Sequence, residues 1–230
     1  RSSNPNYQYS AARLLNMQLR KDVWASGKKS PAFFDFIAVR VDNGVYDPAI
    51  LEKWSKEDVE KLESYINHSR DDLFTYAGLQ QLIDKYLVKN RSTGEIFETP
   101  QFAYMLIAMC LFDNIDEVKK AYDAYSTFKI NLPTPIMAGV RTTIKQFASC
   151  VLVDVEDDLD SIFSSLHAVG KYTARRAGIG LNMGRIRPIN APIRGGEVIH
   201  TGIIPYLKNF ESAVKSTSQN GLRGGSATVH

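Results

Sequence analysis

Residues 147–182 read FASCVLVDV, EDDLDS, IFSSLHAVGKYTARRA and GIGLN in unbroken order. The apolar run at 147–155 has strand length, ends on an acidic turn and predicts a buried strand. From Asp160 to about residue 176, Ile162, Leu166 and Val169 recur at helical spacing, which predicts a helix with one inward face. GIGLN at 178–182 predicts a second strand, and residues 203–215 a last helix before a glycine-rich tail. Strand, helix, strand, helix with short connections implies a parallel α/β unit.

The same half is chemically uneven. Residues 161–196 hold no Asp or Glu but six basic residues, Lys171, Arg175, Arg176, Arg185, Arg187 and Arg194. Nine of the 15 glycines fall between 178 and 225. Glycine lets backbone N–H groups approach an anion closely, and arginine grips phosphate with paired donors. The combination points to a loop-rich site for a phosphorylated small molecule. GIGLNMG at 178–184 is not a dinucleotide fingerprint, because its spacing is GxGxxxG and a strand surrounds it. No GxxxxGK[ST] motif occurs. Ser161, Ser164 and His167 share helical spacing and read as a solvated face, not a hydrolase triad. Thr134, between two prolines, is either a turn that could hold phosphate or sugar or plain turn punctuation. Cys150 in an apolar strand reads as inert packing unless it faces a pocket.

Upstream, the chain is mainly helical. Residues 9–23 predict a helix, and a second starts after Pro31. A short one runs through Ile50 and Leu51, a capped one from Ser55 to about Ile66, and another covers residues 73–85. Residues 86–90 and 95–98, joined by RSTG, predict a β-hairpin. PQFAYMLIAMCLF predicts a helix buried nearly all round, with Cys110 as a small core hydrophobe. Asn114 caps the next helix, to about Ser126, and NLPTP at 131–135 reads as a turn. His68 reads as a packing or surface histidine. The division is placed near 130, giving a helical region 1–130 and an α/β region 131–230.

Bulk properties narrow the class. At 230 residues the chain can bury a real core, and 44% hydrophobic with 23% charged residues argue against disorder. A net charge of +3 is too small to imply nucleic-acid binding. The two cysteines form neither zinc spacing nor a disulfide framework, which suits a reducing compartment. No apolar run approaches 18 residues and residues 1–20 are unlike a signal peptide, so a soluble, cytoplasmic protein is expected.

Seven stretches, NYQYSAARLLNMQLRK, KYLVKNRSTGEIFETPQF, AYSTFKINLPTPIMAGVRT, FASCVL, RRAGIGLNMGRIR, IRGGEVIHTGIIP and SAVKSTSQNGLRGGSAT, resemble the large subunit of class I ribonucleotide reductase of bacterial and phage type. The resemblance is colinear and spans almost the whole chain. It implies a mainly helical region leading into the first part of a ten-stranded α/β barrel, in an enzyme that reduces ribonucleoside diphosphates to 2′-deoxy products. It implies that Cys150 is one of two cysteines that deliver electrons and become a disulfide each turnover. Thr134, Ser149 and Gly178 would contact substrate, and Gln219 and Arg223, in SQNGLRGG, would read its base. Asp157, Asp158 and Leu159 would hold a deoxynucleoside triphosphate or ATP effector with Mg²⁺, with Arg187 and Arg194 on its phosphate side.

The implied partners are the rest of the large subunit, a second copy of it, thioredoxin or glutaredoxin, and a small subunit whose metal cofactor supplies the radical. No metal on this chain, no membrane and no nucleic acid are expected. Three departures from the family stand out. The segment with the radical-forming cysteine, the partner of Cys150 and the shuttle cysteines does not occur, so a fragment or one half of a split subunit is expected. The start at Arg1 resembles the point just after an ATP-binding cone. Asp158 stands where the family often has Ser, and Asn220 where it has Gly, which puts the usual effector preferences in doubt. The competing expectation is a non-catalytic nucleotide-binding or assembly module.

Overall fold

A computed structural model describes residues 4–24, 29–90, 92–145, 147–175, 177–218 and 226–229. The chain forms two compact units, residues 1–147 and 148–230. This division lies beyond the turn residues near 130 because Met137 and Val140 are buried in the first core and Arg141 ends inside it.

The first unit is helical. Helix α1 (Tyr7–Val23) buries Ala12, Asn16, Leu19 and Val23 along one stripe. Leu19 and Val23 lie on the apolar face that their spacing predicts, whereas Leu14, grouped with them by the same spacing, is exposed. In α2 (Phe33–Asp42) the first amide donates to the Glu63 carboxylate at 2.9 Å, so the side chain of another helix satisfies this helix start. Helix α3 (Ala49–Lys53) is short, and α4 (Lys56–Glu63) begins where Ser55 accepts the Asp58 N–H. The helix expected over 73–85 is present and starts three residues later. A 3-10 turn spans His68–Leu73, and α5 (Tyr76–Lys85) starts afresh at Thr75, whose hydroxyl accepts the Gly78 N–H. The predicted hairpin is reduced to one antiparallel bridge, Lys89 to Ile96. Helices α6 (Pro100–Leu111) and α7 (Ile115–Ser126) lie where expected, with Pro100 in the first turn of α6 and Asn114 capping α7. Thr134 and Pro135, read as part of a turn over 131–135, instead open α8 (Thr134–Gly139), because Pro133 pre-sets the backbone and its carbonyl accepts the Ile136 and Met137 amides.

Helix α6 is buried on every side except at Cys110 and Leu111, so its polar residues need partners inside the core. Gln101 donates to Asp71 at 2.8 Å and accepts from the Tyr122 hydroxyl at 2.6 Å, while Asp71 also takes Asn16 and Arg20. Beside this network the His68 ring packs edge-on against Trp24 and Phe102, at 5.2 and 5.3 Å between centroids. Burial first, and then the Arg20 charge, push its pKa down to about 4. The unfolded chain therefore takes up a proton near pH 6.5 that the folded one refuses until about pH 4. Stability of roughly 2–3 kcal/mol is present above this window and is lost as pH falls through it. Denaturant midpoints measured from pH 7 to 4 should fall more steeply for the native chain than for His68→Gln. Equal slopes would contradict this account.

The second unit carries a parallel sheet of order β1-β2-β5. β1 (Cys150–Asp154) and β2 (Gly178–Asn182) pair in register from Cys150 opposite Gly178 to Asp154 opposite Asn182. β5 (Ala227–Val229), in the tail read as loop, pairs with β2. Helices α9 (Leu159–Ala174) and α10 (Ile204–Ser218) supply Ile162, Val169, Phe210 and Val214 to a core that includes Ile179, Leu181 and Val155. A small antiparallel pair, β3 (Pro192–Ile193) with β4 (Val198–Ile199), interrupts the loop between β2 and α10 and was not legible in its polar, glycine-containing sequence. The buried strand expected at 147–155 is shorter and only half buried. Val151 and Val153 pack against the core, whereas Cys150, Leu152 and Asp154 face the other way and are exposed.

Candidate functional site

The open face of the sheet is set by the strand register. Cys150 shares it with Gly178, Leu152 with Gly180 and Thr228, and Asp154 with Asn182. Leu152, 86% exposed, lies across Gly180, where an added Cβ would come within 2.6 Å of its Cδ2. This glycine lets a leucine lie flat on the sheet.

At the N-terminal end of the strands the thiol of Cys150 is free and exposed. Gly178 donates its N–H to the Ser149 carbonyl at 2.8 Å, and Ile179 donates to Ser226 at 3.0 Å. A Cβ at position 178 would sit 3.6 Å from Cys150 Sγ, 3.7 Å from the Ser149 oxygen and 3.8 Å from Ser226 Oγ. The bare α-carbon therefore leaves a shallow floor walled by a thiol, a hydroxyl and backbone. Three expected residues, Ser149, Cys150 and Gly178, meet here. Ser226 joins them unannounced, since only its placement beside β5 brings it in. Thr134 belongs to the first unit, half buried at the start of α8, where neither its amide nor its hydroxyl has a partner among the described residues. Gln219, Asn220 and Arg223 lie outside the described residues. Cys110, the other cysteine, is pushed up to about 11 by burial, which fits its reading as a core group.

The C-terminal end of the strands lies about 13 Å away, four residues along β1. Here the loop after β1 meets the loop after β2. Arg187 donates its backbone N–H to Asp157 Oδ1 at 3.1 Å and its Nε to Oδ2 at 2.6 Å. Burial alone pushes the Asp157 carboxyl up, but these donors and the arginine charge outweigh it and hold the group below its ordinary value. Asp158 is the N-cap of α9, its Oδ1 accepting the Ser161 N–H at 2.7 Å. Serine caps helices by the same bond, so the aspartate at this position keeps the turn a serine would make. The Ser161 hydroxyl in turn accepts the Glu156 N–H at 3.0 Å, and His167 is exposed, as a solvated face requires.

Leu159 is exposed at the start of α9. Arg194 heads the β3–β4 pair in a left-handed conformation, φ 52°, with Gly195 and Gly196 beside it. Its guanidinium has no partner among the described residues. Asp157 and Arg187 are thus brought into contact, Asp158 and Leu159 flank them, and Arg194 stands unpaired on a neighbouring loop. Sequence reading placed Arg185 in the acid-free basic stretch and Glu156 in the acidic turn but did not pair them, and it missed Asp154. Asn182 donates to Asp154 at 2.9 Å, and Arg185 is hydrogen-bonded to Glu156. Like charges two residues apart, acidic at 154 and 156 and basic at 185 and 187, were the available signal.

Among the described residues no group of three or more His, Cys, Asp and Glu side chains is placed to hold a metal ion. No helix among them is long and apolar enough to cross a membrane.

Comparison with known proteins bears on both units. Residues 72–145 match the model of the ribonucleotide reductase all-alpha domain, and residues 148–230 that of the ribonucleotide reductase barrel domain. The chain is 52% identical over 231 residues to ribonucleoside-diphosphate reductase 1 subunit alpha of Escherichia coli (strain K12), covering 98% of this chain and 30% of that protein. Subunit alpha of Enterobacteria phage T4 is 50% identical over 232 residues, again 98% of this chain and 30% of the relative. The subunit alpha of Treponema pallidum is 30% identical over 233 residues, 98% of this chain and 28% of that protein. The chain spans about a third of the length of these relatives.

Proposed function

We propose that this chain, which belongs to the ribonucleotide reductase large-subunit family, supplies one of a reductase's two reducing thiols, part of its substrate cradle and most of an allosteric nucleotide site. The observation that carries this reading is the free, exposed Cys150 thiol beside the side-chain-free backbone of Gly178. A ribonucleoside diphosphate seated there would present its ribose to a thiol, with the Ser149 and Ser226 hydroxyls as hydrogen-bond partners. Reduction breaks the 2′ carbon–oxygen bond and replaces it by carbon–hydrogen, with the oxygen leaving as water. Two thiols supply the two electrons and two protons and end as one disulfide. Cys150 is one of them, and the second comes from a part of the subunit outside this chain, because Cys110 sits half-buried on α6, packed against the core of the first unit, with its thiol pushed up to about 11 by burial.

At the other end of the sheet, a deoxynucleoside triphosphate or ATP brings Mg²⁺ on its phosphates. Asp157, held ionised by Arg187, accepts a ribose hydroxyl, and Arg187 and Arg194 face the phosphates. Gln219 and Arg223, in the glycine-rich stretch SQNGLRGG, read the substrate base. The radical that starts the chemistry is supplied by the metal cofactor of a separate small subunit. The remaining part of the large subunit, a second copy of it, and thioredoxin or glutaredoxin complete the assembly.

A chimera tests this directly. Residues 1–230 replace the matching stretch of the Escherichia coli subunit alpha, and deoxyribonucleotide formation is measured with its small subunit. The expected result is turnover comparable to the parent's, responsive to deoxynucleoside triphosphate. A folded chimera that binds nucleotide but forms no product would leave only a binding or assembly module.

A further inference from the structure

Two arginines two residues apart, Arg185 and Arg187, stand after β2 opposite two consecutive carboxylates, Glu156 and Asp157, after β1. Each arginine takes one carboxylate, but the pairs are built differently. Arg187 holds Asp157 through its backbone N–H and Nε, with Nη2 a further 3.4 Å from the Asp157 carbonyl, and the carboxyl is partly buried. Arg185 meets Glu156 through side chains alone, and the two are 53% and 51% exposed. Asp154, at 3.9 Å, is the other charge near Arg185, and its carboxylate is already engaged by the Asn182 amide.

We infer that Arg185 is an additional phosphate-binding residue of the nucleotide site, and that Glu156 occupies it until a nucleotide's phosphates displace the carboxylate. This rests on the effector reading above and adds two residues that the reading leaves out. An exposed, single-sided ion pair is weakly held. A polyphosphate carries more charge than a carboxylate and offers an arginine paired acceptors, so it competes well for Arg185. The backbone beneath Glu156 stays fixed during the exchange, because the Ser161 hydroxyl holds its N–H and Asp158 holds the Ser161 N–H. The side chain alone swings. Glu156 thus sets how tightly the site takes a triphosphate without contacting it in the bound state. A plain loop staple would do the opposite, since breaking a staple loosens the site.

The test is titration calorimetry at fixed ionic strength on the full 230-residue chain and on the chimeric subunit. The probes are dTTP with Mg²⁺, inorganic tripolyphosphate, and thymidine as the phosphate-free control. Glu156→Gln should tighten dTTP and tripolyphosphate by about 3- to 10-fold, and Arg185→Gln should weaken them by about 10-fold. The gain from Glu156→Gln should vanish when Arg185→Gln is also present, and thymidine binding should not move. Unchanged or weaker dTTP binding in Glu156→Gln, or a gain that persists without Arg185, overturns the inference while leaving the effector reading intact. Absence of dTTP binding by both native proteins overturns the effector reading itself, and this inference with it.

Discussion

Replacing Arg141 with methionine is expected to destabilise the first unit by about 3–5 kcal/mol, because it leaves a buried carboxylate without its cation. Arg141 and Glu98 have fully buried side chains. The guanidinium is joined to both Glu98 oxygens and also donates to the carbonyls of Met137 at 2.7 Å and Tyr86 at 3.0 Å. The Tyr46 hydroxyl and the Val88 N–H complete the shell around Glu98 at 2.8 and 2.6 Å. Burial alone would pull the Arg141 pKa down, and the Glu98 charge more than offsets this and holds it above its ordinary value. The pair ties the loops after α5 and before α6 to the end of α8. Breaking one side should therefore cost more than replacing both. In chemical denaturation of the full chain, Arg141→Met should lower the midpoint strongly, and adding Glu98→Met should recover much of the loss. A single variant within about 1 kcal/mol of the native chain would show that the pair does not hold this corner together.

Cys150→Ser is expected to abolish turnover in the chimeric subunit, lowering it by roughly 10³-fold or more, on the order of 4 kcal/mol in the transition state. Serine preserves shape and polarity at the sheet end but cannot be oxidised to a disulfide, so no route remains for the two electrons. Because Cys150 lies about 13 Å along the strand from Asp154, dTTP affinity should stay at its native value. The split between lost turnover and retained effector binding separates a redox role from a general fault in folding. Turnover at the native rate would remove Cys150 from the chemistry.

Legibility in the sequence followed the strength of local signals. Helices α1, α6 and α7 could be read because a periodic apolar face, a Pro at the start or an Asn cap marks each of them. The parallel β1–β2 pair followed from strand-helix-strand order, and GIGLN matched β2 residue for residue. The 3-10 turn before α5 was hidden, since His68–Leu73 carries no apolar period of its own. Strand β5 was hidden too, because three residues after a run of glycines carry no pattern until β2 offers them an edge. Burial of β1 was overestimated for a related reason. An apolar run cannot say whether both faces are covered, and Leu152 is apolar yet exposed above Gly180. Of the site, the resemblance supplied Cys150, Asp157 and Arg187, and the basic stretch and acidic turn held Arg185 and Glu156 without pairing them, whereas Ser226 carried no signal. Their roles depend on strands and loops meeting across 29 residues or more of sequence.

The central claim is that Cys150 gives up electrons when a ribonucleotide is reduced. Its most direct test is the alkylation state of Cys150 in the chimeric subunit, read by peptide mass spectrometry before and after a single turnover without external reductant. The account predicts that Cys150 loses its reactivity toward the alkylating agent in step with deoxynucleotide formed and regains it on reduction. Product formed while Cys150 stays fully alkylatable would contradict it.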